Sequence, residues 1–184
     1  MSVSYATVTP SKMELTPQKV LFKPQGALTF TALGGTLSNV VIETKFEKAE
    51  IKADQLGTSP LDRRVKGMMV TVTTELTEVL NMETVNVVFP GARIAGTTTK
   101  TLHFESNIGA SDLTKAGALT LHPLSNASTD YTADYTFPIA CSSEESSTTY
   151  GPDNQARLKI VWNIYMDTSK TPPYLYSYGD PANV

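Results

Sequence analysis

Two stretches of the chain alternate with a period of two. In Val40–Lys52 the even positions include Ile42, Thr44 and Phe46, and the odd positions Glu43, Lys45 and Glu47. Met68–Leu76 repeats the pattern, with Val70, Val72, Thr74 and Leu76 on one side and Thr71, Thr73 and Glu75 on the other. Successive strand side chains point to opposite faces, so each stretch predicts a strand buried on one side only. Glu and Lys favour helix in the first stretch, but its Val-Val-Ile start places β-branched residues on both sides and tips it to strand. Further strands are predicted at Ala27–Leu33, ahead of the Gly34-Gly35 turn, and at Thr99–Glu105, Ala118–Leu124, Tyr131–Ile139 and Arg157–Met166. One short helix is predicted over Thr77–Thr84, with Thr77 as its N-cap and Glu78 in the first turn.

The segments between these elements are marked by Pro and Gly. Pro10, Pro17 and Pro24 predict an extended N-terminal arm over residues 1–26, within which Val20-Leu21-Phe22 is either a short strand or a docking peg. Residues 53–67, with Gly57, Pro60 and Gly67, predict a long loop of a length usually tied to function. Ser142–Asn154 reads as a polar loop, and residues 167–184, rich in Pro and Tyr, as an extended C-terminal arm. No repeat of solenoid period is present. The expectation is a single mainly β domain over residues 1–184.

Composition narrows the function classes. With 184 residues and 26 threonines, the chain has the length of one domain and leans to β structure. A formal net charge of −3 argues against tight duplex binding, which needs a basic face. Cys141 stands alone, and two histidines add too few soft ligands for a Cys/His zinc site, so no disulfide and no metal are expected. Met1–Pro10 has neither a basic start nor an apolar run, and no run of 18 apolar residues exists, so neither a signal peptide nor membrane insertion is expected. The composition reads as a soluble domain of intracellular type.

The candidate chemistry is sparse. His103 lies between Leu102 and Phe104, His122 precedes Pro123, and Cys141 has no glycine-rich signature beside it. Surface or edge positions account for the two histidines more simply than a catalytic base does. Glu144-Glu145 in a Ser-rich loop, and Asp130 with Asp134, read as solvated carboxylates rather than a shared acid–base pocket. Gly91 and Gly96 lack a following Lys-Ser/Thr, and no D-x-D-x-D-G calcium loop is present. No cofactor and no enzymatic activity are expected. Arg63-Arg64 beside Asp62, with Asp54 nearby, is different: adjacent guanidinium groups can bind carboxylates on a partner. A solvated loop with weak surface ion pairs explains them equally well.

The run Glu50-Ile51-Lys52-Ala53-Asp54-Gln55-Leu56-Gly57-Thr58-Ser59-Pro60-Leu61-Asp62-Arg63-Arg64-Val65-Lys66-Gly67, followed by Val70–Leu76, resembles the tail tube (major tail) proteins of long-tailed bacteriophages. Trp162–Tyr165, Pro172-Pro173 and Tyr178-Gly179-Asp180-Pro181 resemble that family's closing strand and terminal Gly-Asp pair. The likeness covers residues 27–90 and, more loosely, the C-terminal third; it hardly touches Ile94–Ala118. It implies a β-sandwich or barrel-like subunit with one flanking helix and a long inter-strand loop. It further implies homo-hexameric rings stacked into a tube through which viral DNA passes without specific binding. The chain would then be a virion protein assembled in the host cytoplasm, with the tape measure, terminator and tip proteins as further partners. Asp54, Gln55, Thr58, Asp62, Arg63 and Arg64 are the expected subunit contacts, and Glu43, Lys45, Glu47, Thr71, Thr73 and Glu75 the expected lumen-facing set. That set carries three Glu against one Lys, and an acidic wall would not hold phosphate. Two alternatives stand beside this one: another ring-forming tail component, such as a terminator or baseplate protein, and a monomeric β-sandwich binding module.

Overall fold

A computed structural model describes residues 17–36, 40–52, 60–77, 81–106, 108–142, 145–150 and 156–180. The strands are β1 (Gln18–Pro24), β2 (Thr31–Ala32), β3 (Val41–Lys52), β4 (Pro60–Leu76), β5 (Ala92–Ala95), β6 (Thr101–Phe104), β7 (Gly117–Pro123), β8 (Tyr135–Cys141), β9 (Ser146–Thr149), β10 (Arg157–Tyr165) and β11 (Ser177–Tyr178). One helix, α1 (Met82–Val88), and a 3-10 turn at Asp112–Thr114 complete the described elements.

The main sheet is antiparallel and runs β2-β1-β7-β8-β10-β4-β3, with β9 and β11 added on β10 and β8; β5 and β6 form a separate hairpin. The path returns on itself. Past β2, the Leu33 N–H donates to the Val20 carbonyl of β1, while Thr36 bridges Leu76 and the Thr77 N–H donates to the Gly35 carbonyl at the end of β4. The Thr36 hydroxyl also donates to the Gln18 carbonyl at 3.0 Å. The segment 33–36 thus joins β1 to β4 and closes a barrel-like body at one end, which removes edges that would otherwise be exposed.

The core lies inside that closure. Trp162 of β10 and Phe22 of β1 are fully buried, and their ring centroids sit 5.0 Å apart across it. The Trp162 indole N–H donates to the Thr74 hydroxyl at 3.1 Å, so the largest core side chain leaves no polar atom unpartnered. Val85 and Val88 of α1 cover the same cluster. Pro138 sits inside the central strand β8, where a missing N–H would break a ladder. There the register slips, Gly117 facing Ala140 while Leu119 faces Phe137, so one extra residue on β8 forms an irregularity that takes up the proline.

Several expectations change. Residues 18–24 are not an arm but strand β1, because Val20 and Phe22 are core residues. The long loop over 53–67 is shorter: Pro60–Gly67 continues β4, and the connection 53–59 lies outside the described residues. The helix begins later than predicted, at Met82, because the Asn81 side chain accepts from the Thr84 N–H and caps it; Thr77 instead extends the end of β4. Tyr131–Asp134 is a turn rather than part of β8, and the Ser-rich loop contains β9.

Candidate functional site

The most unusual feature of the body is what leaves it. β4 has 17 residues but pairs with β10 only from Val70 to Leu76. From Met69 back to Pro60 its ladder partner among the described residues is β3 alone. Met68 still packs against the core; the eight residues from Gly67 back to Pro60, at about 3.3 Å each, carry a two-stranded ribbon roughly 25 Å past the body. Lys45–Glu50 and Leu61–Lys66 are exposed at every position, so neither face of the ribbon is covered.

Register decides what each face carries. Lys66 is an extra residue, since Gly67 faces Glu47 and Val65 faces Lys48. Cross-strand partners share a face, so Phe46, Lys48, Glu50, Val65 and Arg63 look one way, and Arg64 with its partner Ala49 looks the other. Arg63 and Arg64 therefore do not form one two-pronged cluster. Arg63 Nη2 meets Glu50 Oε1 at 3.1 Å, and Arg64 Nε lies 3.9 Å from Asp62 Oδ2. Lys52, 3.2 Å from Glu50, and then Arg63 hold the Glu50 carboxyl below its ordinary range. Asp54, Gln55 and Thr58 lie outside the described residues.

Glu43, Lys45, Glu47, Thr71, Thr73 and Glu75 are brought together on the solvent side of β3 and β4. Glu43 faces Thr71 across the ladder, Lys45 pairs with Glu43 at 3.3 Å, and Glu75 faces Lys159 of β10. The opposite face of β4 is inside: Val70, Val72, Thr74 and Leu76 are at most 2 % exposed. Phe46 breaks the expected alternation at 56 % exposed. It points to the core side, and its ladder partner Met68 still packs against the core, but β3 is the outer strand and that packing does not reach Phe46.

His122 is not at the surface and Asp134 is not solvated, contrary to the sequence reading; the two are buried together as a pair. His122 Nδ1 lies 2.7 Å from Asp134 Oδ1, with both side chains buried. Burial pushes the Asp134 carboxyl above its ordinary value, against the hydrogen bond it shares with His122. The two residues are twelve positions apart with unrelated surroundings, so no spacing rule links them. His122 Nε2 is itself buried with no hydrogen-bond partner among the described residues. The pair ties β7 to the turn before β8, and the Asp134 carbonyl accepts from the Gly179 N–H to hold the C-terminal segment.

Two adjoining hollows flank Phe89 and Phe104. One, of about 280 Å³, is apolar, formed by Met82, Val85, Leu102, Tyr150 and Leu158 with β9. The other, of about 340 Å³, carries Glu105, Asp112 and Glu145 and no Lys or Arg. Among the described residues no cluster of His, Cys, Asp and Glu could hold a metal ion, and no helix is long and apolar enough to cross a membrane. The chain matches no protein-family model and no curated protein.

Proposed function

We propose that this chain is the structural subunit of a phage tail tube, polymerising as stacked hexameric rings that conduct viral DNA into the host. The single observation that carries the reading is the ribbon of β3 and β4. A lone two-stranded hairpin is marginal in water, and here Glu47–Lys52 and Pro60–Gly67 extend past the core, with Val65 and the adjoining Phe46 and Met69 each more than half exposed. Such an arm has a physical use when a neighbouring copy covers it. The twelve-residue edge of β3, which pairs only with β4 among the described residues, is likewise a surface that ring closure would cover. The solvent-side set Glu43, Lys45, Glu47, Thr71, Thr73 and Glu75 then lines the lumen. Its acidic excess lets phosphate pass without holding it. In this reading the protein works without cofactor or catalysis, in the virion, beside the tape measure, terminator and tip proteins.

Electron microscopy and sedimentation of the purified, concentrated protein test the proposal. Tubes about one ring wide are expected. Isolated rings that never stack would point instead to a terminator or baseplate component. A monodisperse monomer at every concentration would point to a binding module and overturn the tube.

A further inference from the structure

We infer that the ribbon of one copy docks into the paired hollows around Phe89 and Phe104 of the next copy. This rests on the tube reading and names the receiving surface, which that reading leaves open. The first argument is polarity. Register aligns Pro24, Gly117, Ala140, Ile164 and Val70 in one row across the body, and the ribbon leaves past that row. The apolar hollow lies toward the other end, where β9 pairs with Arg157–Ile160 at the start of β10 and Leu158 forms its floor. A knob at one end and a socket at the other make a heterologous contact, which propagates into an open filament instead of closing on itself. The second argument is reach. The ribbon extends roughly 25 Å, and the nine residues of β10 that span the body cover about 30 Å.

The third argument is complementarity. The ribbon face that continues from Phe46 carries Val65 beside Lys48, then Arg63 paired with Glu50, and Lys52 beyond, so three basic groups stand there against one acidic group. The socket joins an apolar hollow floored by Leu158 to one carrying Glu105, Asp112 and Glu145, with Phe104 shared between them; Arg93 pairs with Glu105 at 2.7 Å, which leaves the hollow with an acidic excess. Phe104 and Tyr150 on its walls are 66 % and 65 % exposed. Val65 fits the apolar hollow while Arg63 faces the carboxylates. Burying such a charge pair at the centre of an interface favours the correct register and excludes like-charged alternatives.

Disulfide trapping tests this directly, because the native Cys141 thiol is buried and does not compete. Under mild oxidation of assembled protein, a variant carrying both Val65→Cys and Thr148→Cys is expected to give a ladder of covalent oligomers on a non-reducing gel. A mixture of the two single variants is expected to stop at dimers, and each variant alone to give none. Glu105→Lys with Glu145→Lys is expected to lower assembly at least tenfold while the circular dichroism spectrum stays native. Tubes that form normally yet trap no cross-link would overturn the socket and leave the tube intact. Dimers from Val65→Cys alone would mean a symmetric contact and overturn it as well. A protein that never assembles would overturn both readings.

Discussion

Trp162 shows how much one side chain can hold. It packs on Phe22 across the closed body and spends its only donor on Thr74. Thr74→Val keeps the shape of the threonine but leaves the indole N–H buried without a partner, which costs about 1–3 kcal/mol. In a Trp162→Phe background that orphan no longer exists, so the same Thr74→Val change is expected to cost markedly less. A double-mutant cycle by urea unfolding measures the difference, and equal costs in both backgrounds would show that the bond contributes nothing. Asp134 gives a pH-dependent counterpart. Burial raises its carboxyl above the ordinary value of 3.8, so the native state holds this proton more tightly than the unfolded chain does. The contribution of Asp134 to stability is therefore complete below the unfolded value and is lost as pH rises through the folded one. Asp134→Asn, which cannot ionise, is expected to gain on the native protein as pH climbs from about 3 into the neutral range. Parallel stability curves for the two proteins over that range would refute this.

At the scale of elements, two junctions carry the fold. Gly117 is where β7 crosses closest to β1: a Cβ there would stand 2.3 Å from the Lys23 carbonyl oxygen and 2.8 Å from Pro24 Cα, both backbone atoms that cannot swing aside. Gly117→Ala is expected to open the first rungs of the β1–β7 ladder and destabilise by about 1–3 kcal/mol, the usual range for overpacking. Thermal unfolding of the variant tests it, and an unchanged midpoint would mean that the ladder yields more easily than its geometry suggests. Helix α1 depends on Asn81, whose side chain satisfies the Thr84 N–H at 3.2 Å. Asn81→Ala is expected to cost about 1 kcal/mol and to loosen the cover over Val85 and Val88. Hydrogen exchange along Met82–Val88 would report that loosening. The neighbouring ladder between β4 and β10 should keep its protection, because its partners are long and buried.

For the whole molecule, the testable statement is assembly. Arg63 and Arg64 lie on exposed strand, so Arg63→Ala with Arg64→Ala is expected to leave the melting temperature nearly unchanged while tubes fail to form. Normal tubes from the double variant would remove both arginines from the contact. The orientation of the outer face is tested by Thr71→Cys and Thr73→Cys in assembled tubes. A bulky thiol reagent confined to the exterior is expected to leave both unlabelled, and ready labelling would place that face outside the tube.

Local alternation was enough to locate β3, β10 and the half of β4 from Met68 to Leu76, and to assign the buried face of that half, because side chains on a pleated strand have a strict period of two and one face meets the core. The sequence pattern also set the six solvent-side residues of β3 and β4 together, since that grouping needs only parity and pairing. Other features depended on partners distant in the chain. Val20 and Phe22 belong to a core strand only because β7 and Trp162 are there to meet them. Phe46 has the parity of a core residue yet is exposed, because parity states which way a side chain points and not how far the core packing reaches. Arg63 and Arg64 looked like one charged cluster, but strand geometry sends them to opposite faces. The His122–Asp134 pair joins residues from β7 and a turn, and no local spacing encodes a contact made by closing a sheet. Burial, reach and charge pairing are properties of the closed body, so only the tertiary structure decided them.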